Sequence, residues 1–299
     1  MNNHIIMTLL SAALVSLGAA AAPTIEDTPS SVTLSVGKTR LVFDKKQGVV
    51  SSLEFQGTEF VQDKNGFRPN FWRALDQTDI ENRIPERSAK WKEFSAKPVV
   101  KEIRSWTEDD GAVYLGVEYD SGCKISYTLS ENGALDVMLM LYPTEEFVDP
   151  VILDGPGMMY NPNQTEEERA AELAEFRAMQ NAIRAQARLD WELNLPLIPR
   201  VGVCTDLPAS FKCDTVKSGD GPDGLFVGKR KGRGVVIQTK DATFEVRPEG
   251  GSQQLCIDTD KTHWTDDSGR YLLPTEAIAF GFIMTPVANN KEMKALLSQ

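Results

Sequence analysis

Residues 66–79 read GFRPNFWRALDQTD, where Phe67, Phe71 and Trp72 stand among Arg68, Arg73, Asp76 and Asp79. Aromatic faces stack on the C–H bonds of a pyranose, while guanidinium and carboxylate groups offer hydrogen-bond partners to its hydroxyls. That mixture is the chemistry of a sugar site. It equally describes a surface-to-core corner, with rings turned inward and an Arg–Asp pair holding the loop. Trp72, Arg73 and Asp79 are the first candidates for a sugar-facing or partner-facing corner. Trp264 and His263, adjacent in DTDKTHWTDDSG (258–269), are the second.

Other chemistries find no residues to carry them. The sequence holds no G-x-S-x-G elbow, P-loop or H-E-x-x-H. Cys123, Cys204, Cys213 and Cys256 form no C-x-x-C pair, and His263 is the one histidine after His4, so neither a metal site nor a cofactor is expected. A retaining glycosidase needs two carboxylates about 5–5.5 Å apart. The glutamates of TEEFVDP (144–150) and TEEER (165–169) read instead as loop and helix-start charges, and no catalytic residue is assigned. A formal net charge of −11 argues against nucleic-acid binding. The densest basic run, GKRKGR (228–233), lies between glycines and reads as a hairpin tip rather than a heparin-type patch.

The elements that must position these residues are strands. SVTLSVG, TRLVFDKKQGVVSSLEFQG, AVYLGVEYDSGCKISYTLSENGALDVMLMLYP and GVVIQTKDATFEVRPEGGSQQLCIDTD alternate with period two. DKKQG (44–48), SENG (130–133) and RPEGG (247–251) supply hairpin turns. Many short strands at this spacing predict an antiparallel β-sandwich. One segment differs: 165–193 opens with a capping box, Thr165 with Glu168, and carries Leu173, Phe176, Met179, Ile183 and Ala187 on one helical face. An amphipathic helix inserted at about 163–193 is predicted, laid over the sandwich or docking a partner.

Ile5 to Leu17 is a short apolar run followed by small residues from Gly18 to Ala22, the pattern of a secretory signal peptide over 1–22 cleaved near Ala20–Ala22. The run is too short for a membrane span. A secreted or periplasmic location follows, and an oxidising compartment permits up to two disulfides among three pairings. Cys123 shares the face of Ile125, Tyr127 and Leu129 and reads as a buried thiol. Residues 23–30 read as a flexible lead-in, 288–299 as a polar tail, and 31–287 as one domain.

RPNFWRALDQTDIEN (68–82) resembles R-P-x-F-W-R-A-P-T-D-N-D-x-G-N of the β-galactosidase small chain, the C-terminal sandwich of family 2 glycoside hydrolases. The matches are Arg68, Pro69, Phe71, Trp72, Arg73, Ala74, Asp79 and Asn82. LPLIPRVGVCTDLP and YLLPTEAIAFGFIMTPV resemble later strands of that family, in order. The resemblance spans roughly 33–287 and implies an all-β antiparallel supersandwich of the galactose mutarotase-like kind. The family's P-T-D-N stands here as Leu75, Asp76, Gln77 and Thr78, and its late G-x-G-G-x-x-S-W loop is replaced by 258–269, where Trp264 is the one substitute for that tryptophan.

In that family both catalytic carboxylates sit on a TIM barrel, and no βα repeat here builds one. The resemblance therefore implies a carbohydrate-binding or accessory sandwich acting in galactoside hydrolysis with a separate catalytic barrel, its partners a glycosidase large subunit or a glycan. Two alternatives stand beside it. One is a structural or protein-interaction module; the other is an aldose 1-epimerase (mutarotase), for which His263 is the one histidine candidate.

Overall fold

The computed structural model describes residues 22–72, 77, 80, 89–142, 165–171, 174, 200–216, 223–240, 242–249, 251–259 and 278–297. The first sheet has five strands in chain order: β1 (Thr24–Asp27), β2 (Ser31–Val36), β3 (Thr39–Asp44), β4 (Val49–Phe55) and β5 (Thr58–Glu59). There follow β6 (Arg68–Asn70), helix α1 (Ala89–Ala96), β7 (Val100–Thr107), β8 (Val113–Tyr119), β9 (Cys123–Leu129) and β10 (Leu135–Leu141). The second half contributes β11 (Val201–Pro208), β12 (Lys212–Val216), β13 (Asp223–Lys229), β14 (Arg233–Thr239), β15 (Thr243–Glu249), β16 (Ser252–Thr259), β17 (Ile278–Val287) and helix α2 (Asn290–Leu297). An eight-stranded sheet runs β12-β13-β14-β17-β10-β9-β8-β7 and a four-stranded sheet runs β15-β16-β11-β6; every described pair is antiparallel.

Period-two patterning decides which face each sheet buries. On β8 and β9, Val113, Leu115, Val117, Tyr119 and Cys123, Ile125, Tyr127, Leu129 are all buried, while the residues between them are half-exposed. These side chains share one apolar core with Leu34, Leu41, Phe43 and Leu53 of the first sheet and with Val201, Val203, Leu255 and Ile257 of the small one. Burial of that apolar area is the main stabilising term. The antiparallel sandwich expected from alternation is what the chain forms.

The first and third sheets meet at a seam. Val50 and Gly66 exchange both backbone hydrogen bonds (3.0 and 2.9 Å), and the Gln62 N–H and Asp206 N–H donate to Asp206 and Asn65 carbonyls at 2.7 and 3.0 Å. Residues 62–70 thus stitch the five-stranded sheet to β11. From the opposite layer, the hydroxyl of Tyr119 donates to the Gly48 carbonyl and that of Tyr127 to the Phe67 carbonyl, at 2.9 and 3.0 Å. Buried phenols keep these bonds because an unpaired hydroxyl there would be costly, and burial also pushes both Tyr pKa values up.

Two local expectations need correction. Residues 23–30, read as a flexible lead-in, contain β1, whose Thr24–Asp27 pair with Val32–Ser35; backbone pairing with an existing edge orders a polar sequence. The tail read over 288–299 contains α2, capped by Asn289, whose side-chain oxygen accepts from the Lys291 and Glu292 N–H groups. Its Met293, Leu296 and Leu297 cover Phe226, Val236 and Val287, a small core on the outer side of the eight-stranded sheet. Helix α1 was not foreseen either; its pattern is weak, with Trp91 and Phe94 its buried residues.

The turns expected at 44–48, 130–133 and 247–251 join β3 to β4, β9 to β10 and β15 to β16. The basic run 228–233 sits at the β13–β14 connection, as a hairpin tip should. Cys123 is a buried free thiol. The capping box exists: the Thr165 N–H and hydroxyl both donate to Glu168, whose N–H donates back to the Thr165 hydroxyl at 3.2 Å. The apolar face predicted beyond it, from Leu173 to Ala187, lies outside the described residues, as does the leader up to residue 21.

Candidate functional site

The segment that opened the sequence argument runs along the seam. Phe67 is buried at φ +38°, a backbone conformation rare for a residue with a side chain. Its ring packs on Phe282 of the opposite sheet, 6.1 Å between centroids, and the Tyr127 hydroxyl holds its carbonyl; together they hold it there. Phe71 is fully buried and stacks on Phe94 at 5.6 Å, with Trp91 edge-on at 5.1 Å. Its N–H donates to the Ser95 hydroxyl at 2.8 Å. Two of the three aromatics therefore serve the core. Trp72 is half-buried, with the Lys92 ammonium 5.1 Å from its ring centroid.

Arg68 points the other way. Across β6 and β11 its guanidinium donates twice to Asp206 Oδ1, at 3.2 and 3.3 Å, and once to the Asn65 carbonyl; the Asn65 amide donates to Asp206 Oδ2 at 2.6 Å. The two charged side chains are only 17% and 15% exposed. Among the described residues, the segment takes the form of a surface-to-core corner, with Phe67 and Phe71 inward and Arg68 held by Asp206 on the far side of the small sheet.

That side of the sheet continues as a largely buried set of polar and charged groups, with Gly202, Cys204, Cys256 and Asp258 closed to solvent. Register aligns Arg68, Cys204, Cys256 and Glu245 across β6, β11, β16 and β15, and next to them Asn70, Gly202, Asp258 and Thr243. Cys204 and Cys256 form a disulfide at a Cα separation of 4.1 Å, and the Asn70 amide points at Cys204 Sγ, 3.0 Å away. Cys213 is free, so one bridge forms among the described residues. Just before β11, Arg200 contacts two carboxylates: Nη2 meets Glu245 Oε2 at 2.5 Å and Nε meets Asp258 Oδ2 at 3.2 Å. Arg247 adds a second cation to Glu245.

The two carboxylates are driven apart. Burial pushes Asp258 up to about 7 against the attraction of Arg200. Its Oδ1 is buried with no hydrogen-bond partner among the described residues and lies over Gly202, where a Cβ would come within 1.9 Å of it. Burial also raises Glu245, but hydrogen bonds from Arg247 and Arg200 outweigh it and hold that carboxyl below its usual value. Burial and the two guanidiniums thus set the neighbouring carboxyls on opposite sides of the ordinary carboxylate value.

Among the sequence candidates, Trp72 lies at the seam; Arg73, Asp79, His263 and Trp264 lie outside the described residues. Arg200, Asp206, Glu245, Arg247 and Asp258 were not singled out. Their signal was alternation itself: RVGVCTD, TFEVR and QLCIDT carry charged residues and cysteines at every second position opposite an apolar set. No group of three or more His, Cys, Asp and Glu that could hold a metal occurs among the described residues. No helix among them is long and apolar enough to cross a membrane.

Residues 35–224 match the family described as Beta galactosidase small chain, and the chain belongs to that family. A β-galactosidase of Priestia megaterium (strain DSM 319 / IMG 1521) is 31% identical over 140 residues, covering 45% of this chain and 13% of that protein. The chain therefore spans a small part of the length of that curated relative. Among solved structures, heparan sulfate lyase HepC from Pedobacter heparinus matches with TM-score 0.43 and 9% identity over 90% of this chain and 37% of its own. A candidate aldose 1-epimerase from Escherichia coli K12 matches with TM-score 0.42 and 10% identity over 89% of this chain and all of its own.

Proposed function

We propose that this chain is the accessory sandwich of a galactoside-cleaving assembly: it lacks hydrolytic machinery of its own and completes the sugar site of a separate catalytic barrel. Family membership with the 68–82 motif carries the reading. The half-buried indole of Trp72, inside the matched motif, supports it, because an aromatic face suits the C–H face of a sugar. Trp72, Arg73 and Asp79, with His263 and Trp264, are the proposed glycan contacts. Export after cleavage of the leader is part of the same proposal, and the Cys204–Cys256 bridge supports it, since such bridges persist in oxidising compartments.

The experiment is complementation. The purified chain is assayed on o-nitrophenyl galactoside alone and after mixing with a barrel-bearing large chain from the same genome. The expected outcome is no turnover alone, co-elution of the two chains and a large gain on mixing. Neither co-elution nor gain would reject the accessory role. Turnover by the chain alone, abolished by neutralising one Asp or Glu, would reject the absence of hydrolytic machinery.

A second reading, a protein-interaction module without sugar contacts, draws on exposed Met138 and Ile283 on the outer face of the large sheet. Calorimetry with galactosides separates the two: measurable affinity lost in Trp72→Ala favours the sugar role, and no heat in either favours the module.

A further inference from the structure

A second patch with sugar-binding chemistry lies on the opposite side of the molecule, on the outer face of β7, β8 and β9. Val113, Leu115 and Val117 take the core side of β8, which turns Tyr114, Gly116 and Glu118 outward. Trp106 on the edge strand β7 pairs in register with Tyr114, and their rings stack with centroids 3.8 Å apart and planes 29° apart. Trp106 stays 42% exposed, and its indole N–H is anchored to Glu108. Apolar rings this open on a sheet face are unusual for a chain whose core is well filled.

The row beside the rings is kept low by Gly116 and Ser126, with Arg104 at its edge-strand end. A Cβ at 116 would come within 3.0 Å of the Tyr114 ring, so the missing side chain lets that ring lie down along the sheet. The next row is charged: Glu118 accepts from Lys101 at 2.8 Å and from Lys124 at 3.0 Å, while Arg104 holds Glu102. Aromatic row, low row and charged row enclose a shallow hollow of about 150 Å³ open to solvent.

We infer that this hollow is a binding platform for a neutral saccharide chain, with one pyranose stacked on the open face of Trp106, which Tyr114 backs, and its hydroxyls meeting Arg104, Glu118, Lys124 and Ser126. Neutrality follows from the charges around the hollow, where Glu102, Glu108 and Glu118 balance Lys101, Arg104 and Lys124 and leave no surplus cation for an anionic glycan. Exposed ion pairs of this kind contribute little where they stand, so their donors and acceptors turn to hydroxyls at small cost. Stacking supplies the apolar contact and the charged rim supplies orientation. The platform does not depend on the accessory role: a chain that never meets a barrel can bind a polysaccharide here, and one that completes a barrel can use it to hold the polymer being cleaved.

The test is calorimetry on the full chain with β-1,4-galactotetraose, with a chondroitin tetrasaccharide as the anionic probe. The expected result is saturable binding of the neutral probe, weakened at least tenfold in Trp106→Ala and Tyr114→Ala and kept within about threefold in Trp106→Phe. Melting temperatures of the variants, matched to the parent, exclude misfolding. Three results overturn the proposal: no neutral binding at millimolar concentration, binding unchanged by Trp106→Ala, or preference for the anionic probe. Trp106→Ala in the complementation assay distinguishes this site from the accessory role. A gain lost with that variant would make the face a polypeptide-docking surface and also overturn the platform.

Discussion

The outer faces of the small and large sheets use the same side chains in opposite settings. On the small sheet, Arg68–Asp206 and Arg200–Asp258 are almost closed to solvent, with side chains 10–17% exposed. On the large sheet, Arg104 and Glu102 are 70% and 44% exposed. A charge pair in water gains little, because both partners keep their hydration and the attraction is screened. A buried pair has already given up hydration, so each member depends on the other, and deleting one strands its partner. Burial rather than residue type therefore separates a fixed scaffold from an adaptable rim. The small sheet holds its charges in place around a disulfide; the large sheet leaves them free to turn toward a ligand.

Deleting a buried partner should give the largest effect. At pH 8, above the raised value of Asp258, Arg200→Met strands an ionised Asp258 and should lower stability by up to about 3–5 kcal/mol in chemical denaturation, and by less below pH 7, where Asp258 holds its proton and Glu245 keeps Arg247. Adding Asp258→Leu to that variant should recover much of the loss, since the stranded charge is gone. A loss under about 1 kcal/mol for Arg200→Met at pH 8 would equate the two faces and break the comparison.

The bridge comes next. Cys204 and Cys256 are 52 residues apart in sequence, and the Cys204→Ala, Cys256→Ala double variant should be about 2–4 kcal/mol less stable, as the freed chain regains loop entropy on unfolding. An unchanged midpoint would mean that the strand pairs alone fix this face.

Acidity sharpens the contrast further. Asp258 has its folded pKa raised to about 7, above the ordinary carboxyl value near 4. Between those values the folded state binds more protons than the unfolded one, so this group makes stability fall as pH rises from about 4 to 7. The slope reaches at most about 1.4 kcal/mol per pH unit. Arg200 and Arg247 oppose the shift and Glu245 adds to it. Glu245 itself is depressed, and its contribution is lost only as pH falls below the usual carboxyl range. Denaturation from pH 5 to 8 should show the downward slope in the parent and a flatter one in Asp258→Asn; equal slopes would mean that Asp258 is ionised throughout.

The same division governs how far the sequence could be read. Strands announced themselves by alternation: β2, β3, β4, β8, β9, β10, β14, β15 and β16 fall where the pattern put them, and so do their turns, although β14 and β16 bury both faces over most of their length. β1 and α2 were missed because neither is ordered by its own pattern. One completes an existing sheet edge, and the other lays three apolar side chains on a patch formed by β13, β14 and β17. The motif around Trp72 was legible as a cluster of residue types, but its split, with Phe67 and Phe71 inward and Arg68 outward, needed the seam. The Arg200–Glu245–Asp258 group could not be read because its members, one just before β11 and two on β15 and β16, are separated by 45 and 13 residues, and only strand pairing brings them together.

The smallest effect is expected on the large sheet. Lys101 and Glu118 are joined at 2.8 Å, and the hydrogen bond to Glu118 raises the Lys101 pKa while those from Lys101 and Lys124 lower that of Glu118. By distance alone this pair looks better than Arg200 with Asp258 at 3.2 Å. Lys101→Ala should nevertheless leave the melting temperature unchanged within error at physiological salt, since its ammonium is 62% exposed and Glu118 keeps Lys124. Matched melting curves of parent and variant at low and at physiological salt measure this directly. A clear drop at physiological salt would show that the rim of the hollow is fixed scaffold like the small sheet, and its charges would then be unable to re-aim at a sugar's hydroxyls without destabilising the fold.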